Sequence, residues 1–183
     1  MPKISSYEVV APASNDLVTV TDASDSNNTK NVTVGSLSAT VYSGAYKEIY
    51  DNTSGEITTI ASANTFVLLS ATTVAGSTND ATLTSNNAGR ITNTGTSRTF
   101  VVNYCVSATA GNNQNLMFRI HISGSPVLYS ESDTITASGG KATSTSNAAI
   151  ITLNTGQYVE VYVANSAVHN VTLEHLNLIL RQV

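Results

Sequence analysis

Three histidines, one cysteine and a thin scatter of carboxylates are the groups in this sequence best suited to bind a metal or move a proton. Their spacing decides what they can do. His169 and His175 are six apart, with Glu174 beside the second. On one continuous strand both would share a face, but at about 3.3 Å per residue they would stand roughly 20 Å apart. That is too far for one metal ion within a subunit. Only a three-fold axis gathering three copies of one histidine would create a site. His121 falls in the alternating run LMFRIHIS and is expected to be a packed or surface residue. Cys105 lies mid-strand in VVNYCVS, on a face with Val101 and Asn103. A reactive thiol needs an electropositive, partly exposed site, so Cys105 reads as a small, buried or semi-buried filler. As the single cysteine it cannot form an intrachain disulfide. DASDSNN (22–28) has oxygen ligands but lacks the glycine and closing glutamate of an EF-hand loop. GRITNTG (89–95) shares only its glycines with a phosphate loop, and no Gly-x-Ser-x-Gly occurs. The expectation is a chain without catalytic residues, metal or cofactor.

The elements that would carry these groups are strands. Ser, Thr and Asn make up over a third of the 183 residues, Trp is absent and charged residues are 11%, against roughly 25% in an ordinary globular domain. Val and Thr suit a pleated, half-buried surface; long helices would need more Glu, Lys, Leu and Arg. From Gly44 onward short apolar runs recur at 47–50, 56–60, 65–71, 81–84, 89–93, 99–108, 116–123, 126–130, 134–137, 148–153, 158–164 and 171–181. Turn chemistry separates them: NTSG, AGSTND, SNNAG, NTGTS, TAGNNQN, SGS, SGGK and NTG. Roughly ten strands in about 140 residues is the density of a sandwich or barrel. Leu116, Phe118, Ile120 and Ile122 share one face, and so do Val159, Val161 and Val163, and Leu176, Leu178 and Leu180. One face of each strand is core. The opposite faces carry large, mixed side chains, which suit either a solvated surface or a second buried one.

The first forty residues read as a separate unit. LVTVT (17–21) and NVTV (31–34) are short strands around the polar turn DASDSNNTK, giving a hairpin with a long tip. Ser36 is placed as an N-cap of one or two helical turns before Gly44. An isolated hairpin is only marginally stable in water, so this arm needs something to pack on. The formal charge of −4 is unevenly spread: seven acids and three lysines precede Ile57, and five acids balance five bases after it. This reads as an acidic arm before a neutral domain, with boundaries at 1–43 and 44–183. Eight basic residues spread thinly give no nucleic-acid surface. No run approaches a membrane span, and the N-terminus shows no apolar core of a secretory signal.

RTFVVNYCVSA, NLMFRIHIS, ITLNTGQYVEVYV and VTLEHLNLILRQV, in that order, resemble the long strands of the tumour-necrosis-factor/C1q-like jelly roll, a fold found as a trimer. The resemblance spans 44–183. Leu153, Gly156, Tyr158, Val159 and Val161 match the family's turn glycine before a long interface strand. Gln157 stands where the family often has Asp, and the Gly-rich end of the last strand is absent. NDLVTVTDASDSNNTKNVTVGSL resembles the opening segment of many phage fibre and decoration proteins, with Lys30, Val32, Thr33, Val34, Ser36 and Leu37 at the matching places.

These resemblances imply an all-β protein: an antiparallel jelly-roll sandwich preceded by a β-hairpin arm, trimerising through Tyr158, Glu160, Tyr162, His175, Ile179 and Arg181. The arm would dock on a particle through Leu17, Val18, Val20, Val32, Val34 and Leu37. The implied function is a non-enzymatic, homotrimeric capsid decoration, cement or head-fibre protein, synthesised in a bacterial host's cytoplasm and carried on the virion surface. Its expected partners are its own copies and a major capsid or other virion protein, with no nucleic acid or membrane. A receptor-binding tail fibre or spike tip recognising a host surface glycan is the second reading. A β-sandwich hydrolase, the third, lacks an acid, base or metal set.

Overall fold

The computed structural model describes residues 13, 15–22, 28–33 and 44–183. The chain divides into two compact units, Met1–Ser43 and Gly44–Val183. In the first, strands β1 (Leu17–Asp22) and β2 (Asn28–Thr33) form an antiparallel hairpin. Its register pairs Leu17 with Thr33, Val18 with Val32 and Val20 with Lys30. β-branched residues recur at these positions, and the Thr19 hydroxyl donates across the pair to Asn31 Oδ1 at 2.9 Å. The second strand starts three residues before the expected 31, because Asn28–Lys30 completes the ladder opposite Val20–Asp22. Val34, Leu37 and the helical turn expected from Ser36 lie outside the described residues.

The second unit is a sandwich of two antiparallel sheets. The six-stranded sheet runs β13 (Thr143–Leu153), β9 (Arg98–Thr109), β15 (Val171–Gln182), β3 (Tyr46–Asp51) and β6 (Val74–Thr78), with β4 (Glu56–Thr58) also paired to β15. The seven-stranded sheet runs β11 (Ser125–Pro126), β10 (Asn115–Ile122), β14 (Tyr158–Asn165), β8 (Ile91–Asn93) and β7 (Leu83–Ser85). There β12 (Ser132–Ile135) also pairs with β10, and β5 (Val67–Leu68) with β14. Alternation sorts the side chains: Phe100, Val102 and Val106 of β9, Leu116, Phe118 and Ile120 of β10, and Leu176, Leu178 and Leu180 of β15 all face one buried core. Each such side chain contributes about 1.5–3 kcal/mol by leaving water.

Two polar devices join the sheets. Tyr104 of β9 is buried among these apolar residues, and its hydroxyl lies 3.0 Å from the Phe118 carbonyl, 2.9 Å from that of Ser130 and 2.7 Å from Ser132 Oγ. Burial raises its pKa. At one end of the sandwich Arg98 bridges to Asp80 Oδ2 at 2.5 Å and donates to Thr82 Oγ1 and Asn93 Oδ1. Asn93, fully buried, donates in turn to the carbonyls of Leu153 and Thr96.

Four expectations need correction. AGSTND is not wholly a separator, since Val74–Thr78 forms the edge strand β6 on β3. Its Gly76 sits where any Cβ would overlap the Glu48 side chain, so here the glycine permits close packing, not a turn. The run 126–130 is a two-residue strand followed by a 3₁₀ turn, Leu128–Ser130. Ser130 Oγ accepts from the Ile120 amide and donates to the Val127 carbonyl, which closes that turn on β10. Of 65–71 only Val67–Leu68 is strand. Finally, the negative charge is not confined to the arm. Glu48, Asp51 and Glu56 belong to the sandwich, and Met1–Ser43 holds four acids against two lysines. Asp51 is buried and accepts from the Thr53 and Thr72 amides and the Thr53 hydroxyl.

Candidate interface

The two outer faces of the sandwich differ in how far they are satisfied within the chain. On the seven-stranded sheet, β14 turns Tyr158, Glu160 and Tyr162 outward beside Arg119 and His121 of β10, with Glu160 directly opposite His121. These groups pair with one another. Arg90 bridges to buried Glu160 at 2.7 Å and lies over the Tyr158 ring at 3.7 Å. The His121 and Tyr162 rings stack at 3.7 Å and 6°. Arg119 lies over Phe66 at 3.8 Å and reaches Glu131 at 3.4 Å. Burial lowers the His121 pKa and raises that of Tyr162, with nearby Glu160 adding to the latter.

The outer face of the six-stranded sheet carries mostly uncharged side chains instead, with Glu48 and Arg181 among them. Cross-strand pairing sets Ser146, Cys105, Asn177 and Tyr50 in one row, and Ala148, Asn103, Ile179 and Glu48 in the next. Ile150, Val101, Arg181 and Tyr46 form a third. Between the first rows lies a shallow cavity of about 420 Å³ lined by Asn103, Cys105, Ser146, Asn147, Ala148, Asn177 and Ile179. Glu48 is held by Asn177 Nδ2 at 2.8 Å and by the Ser77 amide. At the sheet edge Leu128 and Tyr129, each 69% exposed, form an apolar ridge beside Ile150, 61% exposed. The Tyr129 hydroxyl donates to the Ile150 carbonyl at 2.8 Å, fixing the ridge to β13.

Among the described residues no three His, Cys, Asp or Glu groups come close enough to hold a metal ion. A cavity of about 720 Å³ at one end includes Ile57, Ile60, Val168 and His169, a single imidazole among uncharged groups. No described helix is long and apolar enough to cross a membrane.

No protein-family model and no curated protein matches the chain. Among solved structures, Eiger TNF from S. frugiperda superposes with a TM-score of 0.51 at 12% identity, covering 76% of this chain and 93% of that one. The sandwich shares the jelly-roll fold of that structure. The PRD1 vertex protein P5 (TM-score 0.45, 13% identity, 76% of this chain and 97% of that one) is also similar. So is the globular domain of zebrafish complement 1qA protein (0.45, 14%, 76% and 96%).

The jelly roll splits the expected interface set. Tyr158, Glu160 and Tyr162 are on the seven-stranded face, where they pair within the chain, while His175, Ile179 and Arg181 are on the six-stranded face. The six do not form one patch. Cys105 is exposed, not buried filler, because the odd positions of β9 point away from the core. His169 precedes β15 and a register shift separates Leu173 from His175, so the two histidines are not on one continuous strand. Of the expected docking residues, Leu17 (64% exposed) and Val18 are open and Val32 is half-buried. Sequence reasoning missed Ile150 and Tyr129. The alternation of Ala149, Ile151 and Leu153 into the core already implies that Ile150 points outward.

Proposed function

We propose that this chain is a non-enzymatic structural protein of a bacteriophage particle, a homotrimeric capsid decoration, cement or head-fibre protein docking through residues 1–43. The contrast between the two outer faces of the jelly roll carries the oligomer reading. One face is closed by its own ion pairs and ring stacks. The other leaves Ala148 and the Leu128–Tyr129 ridge exposed and Val101 and Ile179 half-buried, with few charges to oppose burial. A ridge and a shallow cavity at different places on one molecule suit a head-to-tail contact that closes into a ring. The trimeric habit of the fold resembled in sequence favours three copies. The virion assignment is supported by the arm's likeness to phage fibre and decoration segments, and by the exposure of Leu17 and Val18 on a hairpin too small to be stable alone.

Light scattering of the purified chain is expected to give the mass of three copies; a stable monomer sinks the reading. Ile179→Lys is expected to produce monomers with unchanged circular dichroism, because a lysine at that place would have to be buried unpaired in the contact. Binding to undecorated particles is expected with the full chain and not after deletion of residues 1–43. The exposed Tyr129 favours a second reading, a tail-fibre tip that stacks on a host glycan. Competition by free protein against host adsorption, lost in Tyr129→Ala, distinguishes it.

A further inference from the structure

The proposed interface leaves the seven-stranded face free, and that face holds a histidine committed to one protonation state. His121 is 5% exposed. Its Nδ1 lies 3.0 Å from the Gly124 carbonyl, which can only accept, so Nδ1 carries the hydrogen. Its Nε2 faces Arg119 Nε at 3.4 Å, which can only donate, so Nε2 must be the bare acceptor. Only neutral imidazole satisfies both. The same Arg119 guanidinium supports the Phe66 ring, which together with two-residue β5 and the Asn64 amide bonded to the Asn165 carbonyl fastens segment 61–68 to β14.

We infer that His121, Arg119 and Phe66 form an acid-sensitive latch, which holds segment 61–68 on the seven-stranded sheet near neutral pH and loosens it when His121 takes up a proton. Protonation places an N–H against the Arg119 N–H and sets two cations side by side. The carboxylates facing them are already engaged. Glu160, opposite His121 on β14, is bound to Arg90; Glu131 is bound to the Arg119 guanidinium; Asp133 of β12 receives Asn115 Nδ2. Tyr162, whose pKa burial raises, stays neutral over this range. Burial is the main cause that lowers the His121 pKa; Arg119 adds to it, and burial outweighs the Gly124 bond and the Glu160 charge, which act the other way. A lowered folded-state pKa means that the stabilisation is complete above the ordinary imidazole value of 6.5 and is lost as pH falls below it.

The test uses the full chain. The His121 ring resonances, assigned by their loss in His121→Asn, are expected to titrate with a midpoint below 6.5. Amide exchange at Asn64 and Leu69, corrected for its intrinsic pH dependence, is expected to quicken severalfold between about pH 7.5 and about pH 5. His121→Asn keeps a donor for Gly124 and cannot titrate, so its acid response should vanish. Phe66→Leu should quicken exchange at neutral pH and flatten the response. A midpoint at or above 6.5, exchange insensitive to acid in the parent chain, or an equal acid response in His121→Asn would each overturn the latch. If His121→Asn does not fold, the parent's midpoint and exchange profile and the Phe66→Leu response still decide.

Discussion

Tyr104 and Asp80 show how single side chains bind the two sheets, and both can be tested on stability alone. Removing the Tyr104 hydroxyl in Tyr104→Phe leaves the Phe118 and Ser130 carbonyls without their buried partner. The expected cost is about 1–2 kcal/mol, read as a lower urea midpoint at unchanged slope. The Arg98 bond is the main cause that holds Asp80 at about 2, below its ordinary 3.8. Such a depressed carboxylate stabilises the fold above pH 3.8 and loses that contribution as pH falls towards 2, at most about 2 kcal/mol for a side chain about one-fifth exposed. Asp80→Asn is therefore expected to lower stability at neutral pH and to flatten the acid limb of the stability curve. Alternation in VVNYCVS places Tyr104 inward and Cys105 outward. It does not say that the tyrosine hydroxyl meets a turn some thirty residues further on. Nor does a small, mildly apolar thiol declare whether its outward position is covered.

Among the elements, legibility follows the number of alternating residues. β9, β10, β14 and β15 each present several inward apolar positions, enough to fix face and register, and their runs are readable to within a few residues. Two-residue β5 and β11 and the edge strand β6 carry too few inward residues for a pattern. Their conformation comes from the neighbour they lie on. The turns were legible from glycine, and adjacent glycines in SGGK separate two causes. Gly139 and Gly140 both have positive φ, but a Cβ at Gly139 meets open space, while one at Gly140 overlaps the Ala110 carbonyl. Gly139→Ala is expected to cost about 1–2 kcal/mol from backbone conformation alone. Gly140→Ala should cost clearly more, because backbone must move as well. Parallel thermal melts decide whether the overlap or the φ angle dominates.

At the scale of the whole molecule the sequence suggested an acidic arm and a neutral body, and that contrast weakens once Glu48 and Asp51 are assigned to β3 and Glu56 to β4 of the sandwich. Charge summed along the chain cannot show which unit a residue folds into. On the proposed reading the arm attaches and the body assembles, a division of labour that a trimer would amplify. Among the described residues, every member of the apolar core cluster belongs to Gly44–Val183, so deletion of 1–43 is expected to leave the fold and the oligomer intact while removing attachment. In a trimer each weak arm contact is joined by two others, and the second and third engage at high effective concentration. Avidity can then exceed a single contact by roughly 10²–10⁴ without any new interaction. Full-length protein, the deletion variant and monomeric Ile179→Lys separate these contributions in one particle-binding titration. The full chain should bind tightly and the deletion variant not at all. The monomer should bind, but more weakly by a factor on the order of 10² or more. Equal affinity of monomer and parent would mean that one arm suffices, and that the six-stranded face of the jelly roll has no part in attachment.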